Sequence, residues 1–315
     1  MPSPRPPAPR SPFAPAELPS LSPPRMRRLL RSYLAEDRAE QDITTEAVIP
    51  PRTRAQGILE AQESGVVSGL DAAQMLAEEV GLEVIRHVSD GSSVRRGTPL
   101  LTLRGDARRI LSVERTLVNL VMHLSGVATE TARMVRAVRA VDPRFQVLAT
   151  RKTLPGLRDL EKRAVVHGGG HPHRRDLASA ILVKNNHLAL VPLREAVRRA
   201  RRRAGRSREL MVEVRSLPEA REAIRAGAHR ILLDNLSPAG ARQLIRALER
   251  EGLRDRVLLE VTGGVSHATI REYARTGADM ASAGRLTHSA RALSVHLVVS
   301  PLPPTPRAGA ASARP

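Results

Sequence analysis

Between Ala149 and Leu177 the chain reads ATRKTLPGLRDLEKRAVVHGGGHPHRRDL, which sets Arg151, Lys152, His173 and Arg174 around the glycine run Gly168, Gly169 and Gly170. Without a Cβ, glycine lets backbone N–H groups come close to a ligand and tolerates positive φ. Guanidinium groups offer paired planar donors that match carboxylates and phosphates, and lysine adds a compact point charge. The combination predicts a site for a small molecule carrying several negative charges, as against a merely solvated basic loop.

Other residues of this kind recur downstream at the ends of short apolar segments. RFQVLAT leads into Arg151 and Lys152, AILVKNN carries Lys184, ELMVEV carries Glu213, and RILLDN carries Asp234. VLLEVTGG ends in Thr262, Gly263 and Gly264, and ADMASAG ends in Gly284. The first ends supply cations, the middle two carboxylates, and the last two small residues suited to binding phosphate through the backbone. Glu213 and Asp234 could ligate a hard divalent ion such as Mg²⁺, contact sugar hydroxyls, or pair with Lys152 and Lys184. His167, His171 and His173 lack the fixed spacing of a HExxH zinc site, and no cysteine assists, so zinc is not expected. His173, beside Arg174, reads as a ligand donor, and His167 and His171 as loop residues.

Those positions need elements to hold them. The segments above alternate with helical stretches such as LPEAREAIRAG and SPAGARQLIRALEREG, which implies parallel βαβ units and an α/β barrel smaller or more open than the eight-fold form. In such barrels chemistry sits at the carboxyl ends of the strands. Upstream, MRRLLRSYLAEDRA reads as a helix, QDITTEAVIP as strand and turn, DAAQMLAEEVG as a helix closed by Gly81, and residues 82–106 as a small antiparallel sheet. The apolar spacing over 107–141 predicts helix, with a break near Ser125–Gly126. Together these predict an α+β first domain.

Composition narrows the function. At 315 residues the chain can hold one large or two ordinary domains. A net charge of +19 would suit nucleic acid, yet the excess is arginine spread throughout, with two Phe, two Tyr and no Trp to stack on bases. Nucleic acid is therefore not the expected partner, although a basic nucleic-acid-binding protein is the alternative from a different class. The absence of cysteine excludes disulfides and a cysteine nucleophile. No apolar run reaches the roughly 18 residues of a membrane span, so no membrane partner is expected. Residues 1–25 and 301–315 are proline-rich and predict a disordered extension and tail. A cytoplasmic enzyme is the expectation.

The segments SVERTLVNLVMHLSGVAT, TRKTLPGLRDLEKRAVVHGGG, His173–Arg174, LVKNNH, VEV, LLDN, TGG and GRLTHSA follow one another between about Glu36 and His296. In that order they resemble the quinolinate phosphoribosyltransferase family, decarboxylating enzymes that make nicotinate mononucleotide in NAD biosynthesis. The resemblance implies an N-terminal α/β-sandwich domain (26–125 with 286–300) joined to an open, seven-stranded α/β barrel (126–285) of type II phosphoribosyltransferase kind. It implies quinolinate and phosphoribosyl pyrophosphate as substrates, Mg²⁺ as cofactor, and a homodimer in which Arg115 reaches the neighbouring site. Arg151, Lys152, His173 and Arg174 match positions that bind the pyridine dicarboxylate, with Lys184 in the same basic pocket. Glu213 and Asp234 match carboxylates near the ribose and the metal, so Lys152, Lys184, Glu213 and Asp234 are the implied catalytic set. Thr262, Gly263, Gly264, Gly284 and His288 fall in phosphate-binding motifs. The chain departs from the family pattern at Ala149 and Asn185, where Asp is usual, at Pro172, where Asn is usual, and at Thr262, where Ser is usual. Rival readings on the same fold are a phosphoribosyltransferase for nicotinate or another aromatic acid, or a ModD-like protein of molybdenum-transport operons.

Overall fold

The computed structural model describes residues 22–205 and 208–302. They divide into two compact units, one built from residues up to Ser125 together with those from Ala292 onward, the other from Gly126–Arg291.

The first unit opens on the helix Pro23–Glu36, which starts where proline's fixed φ and missing N–H suit a first turn and buries Met26 and Leu30. The extension expected over 1–25 thus ends in helix at 23–25; its residues 1–21 lie outside the described residues. QDITTEAVIP, expected as strand and turn, contains the helix Ile43–Val48. Asp42 caps it by accepting from Thr45 N at 2.9 Å, and the cap outweighs the strand preference of the β-branched residues. Strands β1 (Arg54–Ala61), β2 (Gly65–Val66), β3 (Glu83–Arg86), β4 (Ser93–Val94) and β5 (Pro99–Asp106) follow. In β1 the alternate residues Ala55, Gly57, Leu59 and Ala61 are buried, the period of a strand with one face on a core. The helix Leu70–Glu79 packs on β3 and β5 and buries Leu70 and Leu76, each worth roughly 1.5–3 kcal/mol of burial.

The helix Ala107–Arg139 runs 33 residues through the predicted break at Ser125–Gly126. Ser125 does not compete with the helix, because its hydroxyl is committed elsewhere: Oγ accepts from Ser68 N (3.0 Å) and donates to Ser68 O (3.1 Å). One interior glycine then costs only about 1 kcal/mol, which a buried helix tolerates.

In the second unit β6 (Gln146–Leu148), β7 (Ile181–Val183), β8 (Leu210–Val214), β9 (Arg230–Asp234), β10 (Leu258–Thr262) and β11 (Met280–Ser282) form one parallel sheet in the order β6-β11-β10-β9-β8-β7. A single parallel bridge, Leu148 with His171, extends the β6 edge; among the described residues it is the nearest feature to a seventh strand. Helices intervene: Leu217–Arg225 and Pro238–Arg250 start at the capping serines Ser216 and Ser237 and turn Ala223, Ile224, Leu244 and Ile245 into the core. The chain returns to the first unit as β12 (Val295–Pro301), completing the antiparallel sheet β12-β1-β5-β3. Residues 286–291, assigned from sequence to the first domain, group with the barrel, where Thr287 Oγ1 donates to Lys152 O at 2.6 Å. Of the expected disordered tail, Pro301 ends β12 and Leu302 N donates to Arg54 O at 3.0 Å, while 303–315 lie outside the described residues.

Candidate active site

Strand period decides what faces the barrel interior. On one face of the sheet lie Leu182 and Lys184, Met211 and Glu213, Leu232 and Asp234, and Glu260 and Thr262, each pair two residues apart. The first members include an apolar floor of Ala180, Leu182, Met211 and Leu232. The second members surround a cavity of about 870 Å³ at the carboxyl ends of the strands, to which Arg151, Lys152, His173, Arg174, Gly263, Gly264, Gly284 and His288 contribute. The structure therefore brings together every sequence-predicted site residue of the barrel. Arg115 belongs to the first unit, with its side chain 63% exposed and 3.8 Å from Glu114.

The cations are crowded and undersupplied with partners. Burial first, and then the charge of Arg151, lower the pKa of Arg174. Arg151 Nε is buried without a hydrogen-bond partner, the condition of a donor that awaits an anion. Behind them the fully buried Lys162 donates to the carbonyl of Pro172. Burial, aided by Arg158, Arg151 and Arg174, pushes its pKa down to about 8.

The two carboxylates are linked through Asn185. Its backbone N donates to Glu213 Oε2 at 3.4 Å, and its Nδ2 donates to Asp234 Oδ2 at 2.9 Å. Lys184 Nζ lies 3.3 Å from Glu213 Oε1, and Arg215 Nε donates to Asp234 Oδ2 at 3.0 Å. Among the described residues no three His, Asp or Glu side chains cluster to hold a metal, so neither the His167, His171 and His173 set nor Glu213 with Asp234 forms an all-protein cage.

The glycine positions are sterically specified. Gly263 has φ +81°, and a Cβ there would fall 2.3 Å from Asn235 Oδ1. A Cβ on Gly284 would meet Lys152 Cδ at 2.8 Å and His288 Nε2 at 3.0 Å. Ser282 Oγ donates to Thr262 Oγ1 at 3.0 Å, which holds the threonine hydroxyl at the strand end. These loops leave backbone N–H groups at the rim, as a phosphate site needs.

Three lining residues escaped the sequence reading: Arg215, Arg285 and Glu260. Arg215 and Arg285 are indistinguishable by type from the many surface arginines. Glu260 did carry a signal, a lone acid inside the apolar strand LLEVT. It is fully buried and accepts from His173 Nε2 (3.2 Å) and Arg230 Nη1 (3.1 Å). Burial would raise its pKa, but the His173 ring and Arg230 guanidinium outweigh burial and hold it down to about 2. A larger hollow of about 1050 Å³ lies in the first unit, but its cations are occupied: Arg31 on Glu79, Arg108 on Ile49 O, Arg109 on Val80 O.

Residues 127–298 match the model of the quinolinate phosphoribosyl transferase C-terminal domain, and residues 42–125 that of its N-terminal domain. The chain belongs to the quinolinate phosphoribosyltransferase family. It is 42% identical over 275 residues to a probable nicotinate-nucleotide pyrophosphorylase [carboxylating] of Methanothermobacter thermautotrophicus, covering 87% of this chain and 99% of that protein. It is likewise 42% identical over 277 residues to the nicotinate-nucleotide pyrophosphorylase [carboxylating] of Mycobacterium leprae, covering 86% and 96%. The crystal structure of NadC from Streptococcus pyogenes superposes with a TM-score of 0.83 at 34% identity, over 90% of this chain and 99% of that one. A member of this family with an intact cationic rim has the parts for phosphoribosyl transfer to a pyridine acid.

Proposed function

We propose that the protein is a decarboxylating quinolinate phosphoribosyltransferase, converting quinolinate and phosphoribosyl pyrophosphate to nicotinate mononucleotide, pyrophosphate and CO₂. The observation that carries this reading is the charge of the cavity: Arg151, Lys152, Arg174, Lys184, Arg215 and Arg285 line it against Glu213, Asp234 and Glu260. An excess of fixed cations suits two polyanionic substrates bound side by side, and exceeds what a monocarboxylate such as nicotinate needs.

Arg151, Lys152 and Arg174 would hold the two carboxylates of quinolinate, with Lys184 at the edge of the same group. Gly263, Gly264, Gly284, Thr262 and His288 would receive phosphate through backbone N–H groups and short polar side chains. Glu213 and Asp234 face the position of the ribose, where their negative charge stabilises the cationic character that develops at C1 as pyrophosphate departs. The pyridine nitrogen forms the new bond to C1, so no protein nucleophile is needed. The ring nitrogen then carries positive charge and accepts the electron pair left when the adjacent carboxylate departs as CO₂. The cations must orient that carboxylate without binding it more tightly than the transition state.

Two carboxylates without a third fit Mg²⁺, which commonly takes one or two protein carboxylates and completes its shell with substrate phosphate and water. Glu213 and Asp234 would hold it, and it would supply neutralisation of the leaving pyrophosphate. The protein would act as a homodimer in the cytoplasm, with exposed Arg115 reaching the neighbouring subunit's quinolinate.

Purified protein given quinolinate, phosphoribosyl pyrophosphate and Mg²⁺, with nicotinate as the parallel acid, tests the reading. Formation of nicotinate mononucleotide from quinolinate but not from nicotinate is expected. Turnover of nicotinate alone, or of neither acid, would overturn the substrate assignment.

A further inference from the structure

We infer that Glu260 and His173 form a buried positioning pair that aims Arg174 at the pyridine dicarboxylate, and that His173 is not itself a ligand of that substrate. The inference rests on the quinolinate reading and goes further, because it removes one expected ligand and adds a residue from the barrel floor.

Both ring nitrogens of His173 are already committed. Arg174 N, which can only donate, lies 2.7 Å from His173 Nδ1, so Nδ1 must accept. The ring proton therefore sits on Nε2, which donates to Glu260 Oε2 at 3.2 Å. The His173 side chain is 7% exposed and that of Glu260 is wholly buried, so the pair lies beneath the cavity surface and does not project into it. Arg230 Nη1 on the same Glu260 oxygen compensates the buried charge.

The backbone explains why such an anchor is needed. His173 has φ +53°, a left-handed conformation that a non-glycine residue adopts only when its surroundings hold it there. It is held from both sides, by Lys162 on the carbonyl of Pro172 and by Glu260 on the ring. The ring in turn fixes the Arg174 N–H. Freed from Glu260, the His173–Arg174 peptide can relax toward an ordinary conformation, and the Arg174 guanidinium moves with it.

The test combines kinetics with direct observation of the ring. Glu260→Gln keeps the volume and removes the charge, and His173→Gln removes the ring. Each is expected to raise the KM for quinolinate at least tenfold and to leave the KM for phosphoribosyl pyrophosphate within twofold of wild type. A general loss of structure would instead move both constants and the melting temperature. In wild-type protein labelled with ¹⁵N-histidine, His173 should show a proton on Nε2 and none on Nδ1, unchanged on saturation with quinolinate. This spectrum decides the matter even where the variants do not fold. The proposal is overturned by an unchanged quinolinate KM in Glu260→Gln, by parallel rises in both constants, or by a His173 proton on Nδ1. It is equally overturned by a shift of the ring nitrogens when quinolinate binds. If wild-type protein fails to use quinolinate at all, the functional reading fails first and takes the pair's substrate with it.

Discussion

The arginines on the outer helices of the barrel unit and those at the carboxyl ends of its strands are the same residue in opposite circumstances. Outside, Arg199 pairs with Glu195 at 2.6 Å, Arg275 with Glu272 at 2.6 Å, and Arg221 chelates Glu251. These are exposed pairs one or two turns apart or between neighbouring helices, of the kind that contributes little to stability. At the rim Arg151 and Arg174 stand together around a half-enclosed cavity, and Arg151 Nε has no partner. Net charge alone says little about what this protein binds; local excess of one sign in a cavity says much more.

The contrast is broken most severely at the rim. Replacing Arg151 and Arg174 together with Ala should lower kcat/KM for quinolinate by at least ~10³-fold, since charge-assisted hydrogen bonds are worth about 1.5–3 kcal/mol each. Steady-state kinetics reads the loss, and near-normal values would place the dicarboxylate elsewhere.

Lys162, just behind the rim, gives the next largest effect, on stability. Its folded pKa of about 8 lies below its unfolded value of 10.5, so the unfolded chain binds more protons between those limits. The penalty of burying the charged amine is complete below pH 8 and is relieved as pH rises to 10.5, a gain on the order of 3 kcal/mol. Urea denaturation across this range should show stability rising in wild type relative to Lys162→Met; parallel curves would refute the shift.

Gly263→Ala should destabilise the fold by about 1–3 kcal/mol through its φ of +81° and the clash with Asn235. It should also raise the KM for phosphoribosyl pyrophosphate; a melting temperature equal to wild type would show that the loop yields. Arg221→Ala, on the outside, should leave both the melting temperature and kcat/KM at wild-type values. A large effect there would erase the distinction between the two sets of arginines.

What could be read from the sequence follows the same division. Strand–helix alternation and the cations after RFQVLAT are local patterns, and the parallel sheet and rim formed where they pointed. Glu260 was not legible because its meaning depends on His173, 87 positions earlier, brought beside it only by the sheet. Lys162 sits in a helix whose charged residues look solvated until α/β packing buries it. The helix Ile43–Val48 was misread because a single Asp42 cap overrode the strand preference of its residues. The break at Ser125–Gly126 was misread because Ser68 holds the serine hydroxyl. In each case a partner distant in sequence, or one cap, outweighed the local pattern.

The central claim is that the cationic rim of the barrel binds the dicarboxylate. Calorimetric titration of quinolinate into wild-type protein and into Arg174→Ala tests it most directly, with phosphoribosyl pyrophosphate titrated into both as the control. The account predicts quinolinate binding weakened by ~30- to 150-fold in the variant, the equivalent of about 2–3 kcal/mol, with phosphoribosyl pyrophosphate binding retained. Equal quinolinate affinity in the two proteins would contradict it.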